Sequence, residues 1–215
     1  MAAHPSAREP IVRIPLSFIR RIESGRILLL GWIVLTWVGG QERLPYNTCN
    51  KYAVDMFLET LKERWLPAAP RAEAWQGEAC GKPLSLKFDY AQSEELLDGE
   101  APLARFFQPA ACHVRRWGVF RRERWSAGDL LVATSRRLLW IEERYKGQYE
   151  RYGTVSHSAP LVSIAGIHCA GKDRQSELEV AFSSGDSWHI PLRENEEREA
   201  WKFEAALRRI LHEVT

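Results

Sequence analysis

Apolar residues recur every three to four positions in two stretches of the chain, one around residue 60 and one at the C-terminal end. This spacing predicts two amphipathic helices, each with one face towards a core. Asn47 or Thr48 can cap the first helix, and Pro67 stops it. The apolar positions are Val54, Phe57, Leu58, Leu61 and Trp65 in the first helix and Ala200, Phe203, Leu207, Ile210, Leu211 and Val214 in the second.

Short apolar or alternating runs fill much of the chain between these helices, and residues typical of turns separate them. Such runs predict β-strands. Residues 177–182 alternate strictly, so the apolar residues of this strand face a core while Glu177 and Glu179 face solvent. The other predicted strands are 105–109, 117–120, 129–134, 137–145 and 149–156.

The run from Ile27 to Val38 has twelve residues and no charge. A helix needs about 20 apolar residues to cross a bilayer, so this run is too short. Arg20 and Arg21 precede it, as in a signal peptide, but no small-residue cleavage pattern follows. The run ends at Gly39-Gly40, which favours a buried strand entering a tight turn. We therefore expect a cytoplasmic protein, with peripheral attachment to the inner face of the membrane left open.

The pattern of residues 11–67, which we call the front third of the chain, recurs near the C-terminus. Residues 15–22 read PLSFIRRI and residues 160–167 read PLVSIAGI, so Pro, Leu, Ile and Ile recur at a constant offset. This similarity predicts two copies of one unit, a strand and hairpin followed by a helix. Further matches are Gly40 with Gly185 and, after a one-residue slip, Pro45 with Pro191, Phe57 with Phe203 and Leu61 with Leu207.

The two copies differ in what precedes them. Several predicted strands precede the second copy, whereas only ten residues precede Ile11 in the first. The expected organisation is a half-copy over 11–67, a linker over 68–92 that could hold a strand at 82–90, and a complete domain over 93–215.

The C-terminal part resembles the bacterial pleckstrin-homology-like domains. The residues that carry the resemblance are LLDGE at 96–100, GDLLVATSRRLLW at 128–140, the PLxxIxxI segment at 160–167 and the final helix. The resemblance covers 93–215 well and 10–66 as a C-terminal half alone. It implies an α+β fold, a bent antiparallel sheet or partly open barrel capped by a C-terminal helix. It also implies a binding module, and some similar proteins are thought to form oligomers.

The first copy is more apolar than the second at matched positions. Trp32 and Val34 stand where the second copy has Glu177 and Glu179, and Leu28 and Leu30 extend the effect. A strand that is apolar on both faces must be covered on both faces. We therefore expect it to pack against the second copy, against 82–90, or against another subunit. The favoured function is non-enzymatic protein association, self-assembly included, with Leu28, Leu30, Trp32 and Val34 as interface residues.

Residues 113–125, HVRRWGVFRRERW, combine arginines with aromatic residues. Guanidinium groups pair with phosphate, and tryptophan suits a membrane interface. The alternative function is therefore a peripheral binder of anionic lipid or phosphoryl ligands. Two other interpretations stay open: a solvated hairpin paired with Glu94, Glu95 and Glu142, and a site for protein or single-stranded nucleic acid. The candidate anion-binding residues are Arg115, Arg116, Trp117, Arg121, Arg122, Arg124 and Trp125.

Composition limits the remaining functions. The 215 residues are 45% hydrophobic and 27% charged, as in a globular protein. Lys and Arg number 30 against 28 Asp and Glu, so a dedicated nucleic-acid binder is not expected. The four cysteines form no CxxC pair, which argues against zinc and for a reducing compartment. The sequence has no GxSxG, HExxH or glycine-rich phosphate loop. We expect no catalytic residues, metal or cofactor.

Overall fold

A computed structural model describes residues 13–67, 83–117, 120–143, 153–172, 175–193 and 195–214, without the side chains of 112–117, 120–125, 171, 172, 175 and 214. The described part is α+β, with antiparallel sheets and a C-terminal helix, which confirms the predicted class at this level. The sheets are open and do not close on themselves. The helices are α1 (Lys51–Trp65), α2 (Leu86–Glu95) and α3 (Glu197–Val214).

The strands form sheets of seven, three and two members. The large sheet has the order β3-β2-β1-β9-β8-β7-β4, the three-stranded sheet the order β10-β11-β12, and the remaining hairpin pairs β5 with β6. The strands are β1 (Ile19–Ile27), β2 (Leu30–Trp37), β3 (Gly40–Asn47), β4 (Ala104–Gln108), β5 (Ala111–Trp117), β6 (Phe120–Ser126), β7 (Asp129–Ala133), β8 (Arg137–Glu142), β9 (Thr154–Pro160), β10 (Ile164–Lys172), β11 (Gln175–Phe182) and β12 (Ser187–Pro191).

The front third of the chain extends the sheet of the remainder. Strand β1 pairs antiparallel with β9, from Ile22 opposite Ser158 to Arg26 opposite Thr154. On its other side β1 pairs with β2. The backbone groups of β1 are therefore shared between both neighbours, and the front third has no free edge on this side.

The two faces of the seven-stranded sheet carry different layers. On one face, α3 and the three-stranded sheet cover β4, β7, β8 and β9. This core includes Phe106 and Phe203. On the opposite face, α2 covers β4, β7 and β8 through Phe88. Helix α1 covers β1 and β2 through Leu58 and Trp65. Alternation along each strand supplies one apolar set to each layer.

Two groups of elements have matching positions along the chain. Strand β10 begins 145 positions after β1, and β11 begins 145 positions after β2. The matched strands have nine and eight residues, and both β1 and β10 show a register shift next to their first residue. A short 3-10 helix precedes each group, Leu16–Phe18 and Leu161–Ser163. Helices α1 and α3 follow the groups.

The predicted strand at 82–90 is wrong, because Leu86–Glu95 is the helix α2. The alternation of Leu84, Leu86 and Phe88 suggested a strand, yet Leu86 is 86% exposed. The buried residues are instead Phe88, Ala91 and Gln92, which share one face of a helix. Packing against the sheet buries residues at helical spacing, so this segment forms a helix.

Three strand boundaries also differ from prediction. Residues 117–120 are not one strand but the tip of the β5–β6 hairpin, of which 118 and 119 lie outside the described residues. The run from Ile27 to Val38 is divided by a turn at Leu28-Leu29. Of the strand predicted at 149–156, residues 149–152 lie outside the described part, and 154–156 belong to β9, which extends to Pro160. Among the described residues, no helix is both long and apolar enough to cross a membrane.

Candidate functional site

Three consecutive leucines, the two turn residues Leu28 and Leu29 and the first residue of β2, Leu30, lie at the junction of β1 and β2, which we call the leucine turn (residues 28–30). Their exposures are 70%, 67% and 69%. Leu28 has φ +52°, in the left-handed region that costs a non-glycine residue roughly 1–2 kcal/mol. The Thr48 amide donates to the Leu29 carbonyl and the Thr48 hydroxyl to the Leu28 carbonyl, both at 3.0 Å. The turn is thus held in place by backbone contacts, while its side chains stay in solvent.

The prediction that Trp32 offers apolar surface is wrong, since this residue is only 7% exposed. Gly25 lies directly opposite it on β1, and the ring occupies the space where a Cβ of that glycine would stand. The Arg43 guanidinium lies 4.9 Å from the ring centre. The indole Nε1 donates to Oε1 of Glu23 at 3.0 Å. Neighbouring strands of the same sheet therefore cover Trp32.

Val34 is half-buried and lines a cleft of about 160 Å³ between the large sheet and β12. One wall is His157 stacked on Trp140, with ring centres 4.8 Å apart. The two ring nitrogens of His157 face carboxylates: Nε2 lies 3.1 Å from Glu142 and Nδ1 lies 3.6 Å from Glu23. The imidazole and the two carboxylates thus contact one another.

Of the four predicted interface residues, Leu28 and Leu30 are exposed together, whereas Trp32 and Val34 lie on the sheet face. The structure adds Leu29, which the sequence analysis missed because a buried strand was expected there. The signal was present in the run of three leucines after Ile27, since apolar residues at a strand junction have no neighbouring strand to cover them.

A buried ion pair joins α2, the loop after it and β8. Arg137 donates from Nε to Oε1 of Glu100 at 3.0 Å and from Nη2 to Oε2 at 2.6 Å. Its Nη1 donates to the Ser158 hydroxyl at 3.1 Å. A second pair, Lys62 with Glu95, joins α1 to α2. Burial alone would raise the pKa of Glu95, but Lys62, with Arg137 and the Ser156 hydroxyl, outweighs this and lowers it to about 2. The Lys62–Glu95 pair fixes the front third to the rest of the chain.

Asp129, opposite Glu142 at the other end of β8, is a second buried group. Its Oδ1 accepts from the Trp140 indole at 3.1 Å and its Oδ2 from the Gln108 amide at 2.8 Å. Burial raises the pKa of Asp129 to about 6, and the two hydrogen bonds oppose this shift only in part. The folded protein therefore holds this proton more tightly than the unfolded chain does.

Asp129→Asn should change how stability depends on pH. Because the folded pKa is raised, the contribution of Asp129 is fully present below its ordinary pKa of 3.8 and is lost as pH rises through about 6. The asparagine does not titrate, so the variant keeps its free energy of unfolding where wild type loses some. The difference, variant minus wild type, should therefore rise by about 2 kcal/mol from pH 4 to pH 8. Urea unfolding at a series of pH values measures this. A difference that does not change with pH would contradict the assignment.

The arginine hairpin is present as backbone. Strands β5 and β6 pair with Arg115 opposite Arg122 and Arg116 opposite Arg121. The side chains of all seven candidate anion-binding residues lie outside the described part of the chain. Two of the carboxylates expected to pair with them have other partners, since Glu94 contacts Arg26 and Lys51 and Glu95 contacts Lys62. The seven candidate residues are Arg115, Arg116, Trp117, Arg121, Arg122, Arg124 and Trp125.

The described cysteines and histidines form no reactive constellation. Cys49 is exposed next to the leucine turn. Burial, with the nearby Glu204 carboxylate, raises the pKa of the Cys169 thiol to about 12, so this thiol is a poor nucleophile. His157 lies on the large sheet and His189 on the three-stranded sheet. Within the described ranges, no group of His, Cys, Asp or Glu has a geometry for a metal ion.

No protein-family model and no curated protein matches this chain. Among the features above, the leucine turn combines exposure, apolar character and backbone strain at one place.

Proposed function

We propose that this protein is a non-enzymatic binding module that associates with protein, and that the leucine turn binds a second copy of the same chain. The observation that carries the proposal is Leu28, an exposed leucine in a backbone conformation that favours glycine. Strain of this kind persists where the surrounding structure enforces it, and it clusters at functional sites.

A two-residue hairpin turn favours a left-handed φ, so the turn itself explains part of the conformation of Leu28. A buried leucine contributes about 1.5–3 kcal/mol relative to an exposed one, which would offset the left-handed φ. With 70% of its surface in solvent, Leu28 gains little of this in a single copy. Burial against a partner would supply the missing contribution, for Leu29 and Leu30 as well.

A second copy suits this surface because the tip carries no charge. Residues 27–31 read ILLLG, so no charge within this stretch faces its own equivalent when the turns meet around a two-fold axis. A two-fold contact places the same patch on both partners, so leucine meets leucine. Oligomers with cyclic two-fold symmetry are the commonest kind.

We further propose that the front third is a half-copy of a pleckstrin-homology-like unit, of which the C-terminal part is the complete copy. The matched positions of β1 with β10 and β2 with β11 support this. In the complete copy, β4 and its neighbours cover the face of α3 that holds Phe203. The matching residue of α1 is Phe57, which is 48% exposed. A half-copy thus accounts for an apolar surplus in the front third.

Leu28→Gly tests the proposal because it should move stability and association in opposite directions. Relief of the φ strain should stabilise the folded chain, and the greater flexibility of glycine in the unfolded chain should oppose this in part. The net gain in the free energy of unfolding should be about 0.5–1 kcal/mol. Loss of one buried leucine from each partner should weaken association at least about tenfold. Urea unfolding measures the first effect. Cross-linking through Cys49 with a bismaleimide measures the second, in a chain with Cys80, Cys112 and Cys169 replaced by serine.

Asn195→Gly is the matched control, since Asn195 also has a positive φ, +73°, and lies at the start of α3. It should leave cross-linking unchanged. A Leu28→Gly chain that is more stable and cross-links as well as its parent would remove the leucine turn from the proposal.

The alternative, binding of anionic lipid or phosphoryl groups by the hairpin of β5 and β6, stays a prediction of the sequence. Its support is the register that places two pairs of arginines opposite each other.

A further inference from the structure

A small pocket lies where the front third meets the three-stranded sheet, and two adjacent arginines of β1 line it. Its volume is about 100 Å³. This is roughly the space of three waters, enough for one tetrahedral anion. The lining residues are Arg20, Arg21, Ser163, Phe182, Ser183 and Ser184.

A β-bulge explains why both arginines reach the same pocket. Consecutive side chains of a regular strand point to opposite faces. In β1, Ile19 is registered with Trp37 and Arg21 with Thr36, so Arg20 is the extra residue of a bulge. Bulges redirect side chains in this way and are enriched next to functional sites.

The charges in the pocket are not balanced. Arg21 contacts Oδ2 of Asp186 at 3.3 Å, and its guanidinium lies 5.8 Å from the ring centre of Phe182. In the part of the chain that the structure describes, Arg20 is half-buried and has no ion-pair partner. Two arginines against one aspartate leave the pocket with a positive excess.

The serines complete a set of polar groups around the arginines. Ser163 and Ser184 donate their hydroxyls to the Pro160 carbonyl and to Asp186, so they keep acceptor lone pairs only. The Ser183 hydroxyl has no hydrogen bond among the described residues and is available as a donor. The Ser183 amide donates to the Ser163 carbonyl at 2.9 Å, which fixes the β11–β12 turn beside the pocket.

We infer that this pocket binds the phosphoryl group of a small phosphate ester or of a lipid headgroup. Arg20 makes the paired N–H contacts that suit a phosphate, Arg21 adds charge while it remains in contact with Asp186, and Ser183 donates a third hydrogen bond. The site lies apart from the leucine turn and does not depend on self-association.

Inorganic phosphate and vesicles of phosphatidylcholine with and without phosphatidic acid are suitable probes. Backbone amide shifts in NMR spectra should report saturable phosphate binding at Arg20, Ser183 and Ser184, with a Kd of about 1 mM. Arg20→Gln should weaken binding at least about tenfold. Arg64→Gln, the same change on the exposed side of α1, should leave it within about twofold.

Saturable binding of free phosphate, of phosphatidic acid vesicles or of both supports the inference if Arg20→Gln removes it, and the two arms show which source reaches the pocket. If neither free phosphate nor phosphatidic acid vesicles cause a saturable shift at Ser183 and Ser184 in the wild-type chain, the inference is overturned. This outcome does not depend on the stability of the variant. Binding that Arg20→Gln leaves intact would overturn it equally.

Discussion

Glu100→Gln will lower the free energy of unfolding by about 3–5 kcal/mol, because it removes the carboxylate that pairs directly with the buried Arg137 guanidinium. The side chains of Arg137 and Glu100 are 0% and 1% exposed. Burial alone would raise the pKa of Glu100, but its contacts with Arg137 hold that pKa below its ordinary value. Its contribution to stability is therefore present above its ordinary pKa and lost as pH falls through the lowered one.

Urea unfolding at neutral pH measures this prediction. Glu63→Gln, the same change on the exposed side of α1, should stay within about 0.5 kcal/mol of wild type. The double variant Glu100→Leu with Arg137→Met should be more stable than Glu100→Gln, because it removes both charges. A cost below about 1 kcal/mol for Glu100→Gln would show that water reaches the pair.

Phe203→Ala will cost about 3–5 kcal/mol of stability, whereas Phe57→Ala, its match in the front third, will cost less than about 1 kcal/mol. Phe203 is 0% exposed and its ring centre lies 6.3 Å from that of Phe106 on β4. Phe57 is 48% exposed. The two helices would thus differ in what their matched phenylalanines touch.

Thermal or urea unfolding of the two variants measures the difference, and Leu207→Ala with Leu61→Ala offers a second matched pair. Leu207 is buried in the core around α3, while Leu61 packs half-buried under β1 and β2. Equal costs for the two phenylalanines would mean that another surface covers Phe57 in solution, and the half-copy account would then fail at this position.

The sequence predicts best where periodicity is long. Helices α1 and α3 and the strand β11 lie where their spacing placed them. Helix α2 was predicted as a strand, because a few alternating residues fit either period and only the sheet beneath Phe88 decides between them.

Pairing between distant strands could not be predicted. The contact of β1 with β9 joins residues 128 to 136 positions apart, and the local hydrophobic pattern does not indicate so distant a partner. Trp32 shows the same limit at one side chain. Trp32 matches Glu177, which was expected to face solvent. In the structure, Gly25 leaves space for the Trp32 ring and Arg43 covers it. Both neighbours become visible only when the cross-strand register is known.

The pocket at Arg20 and Arg21 was missed for a related reason. Two adjacent arginines before an apolar run suggested at most a targeting signal. A bulge brings both arginines to one pocket, and the position of this bulge cannot be predicted from the sequence. Nor does the sequence show that the serines of the β11–β12 turn lie beside these arginines.

Sedimentation equilibrium over a wide range of protein concentrations tests the central claim, that the leucine turn joins two copies, most directly. The wild-type chain of 24.7 kDa should increase in average mass towards twice that value as concentration rises. Leu28→Gly should require at least about tenfold more protein for the same increase. A wild-type chain that keeps the mass of one copy at every concentration would contradict the account.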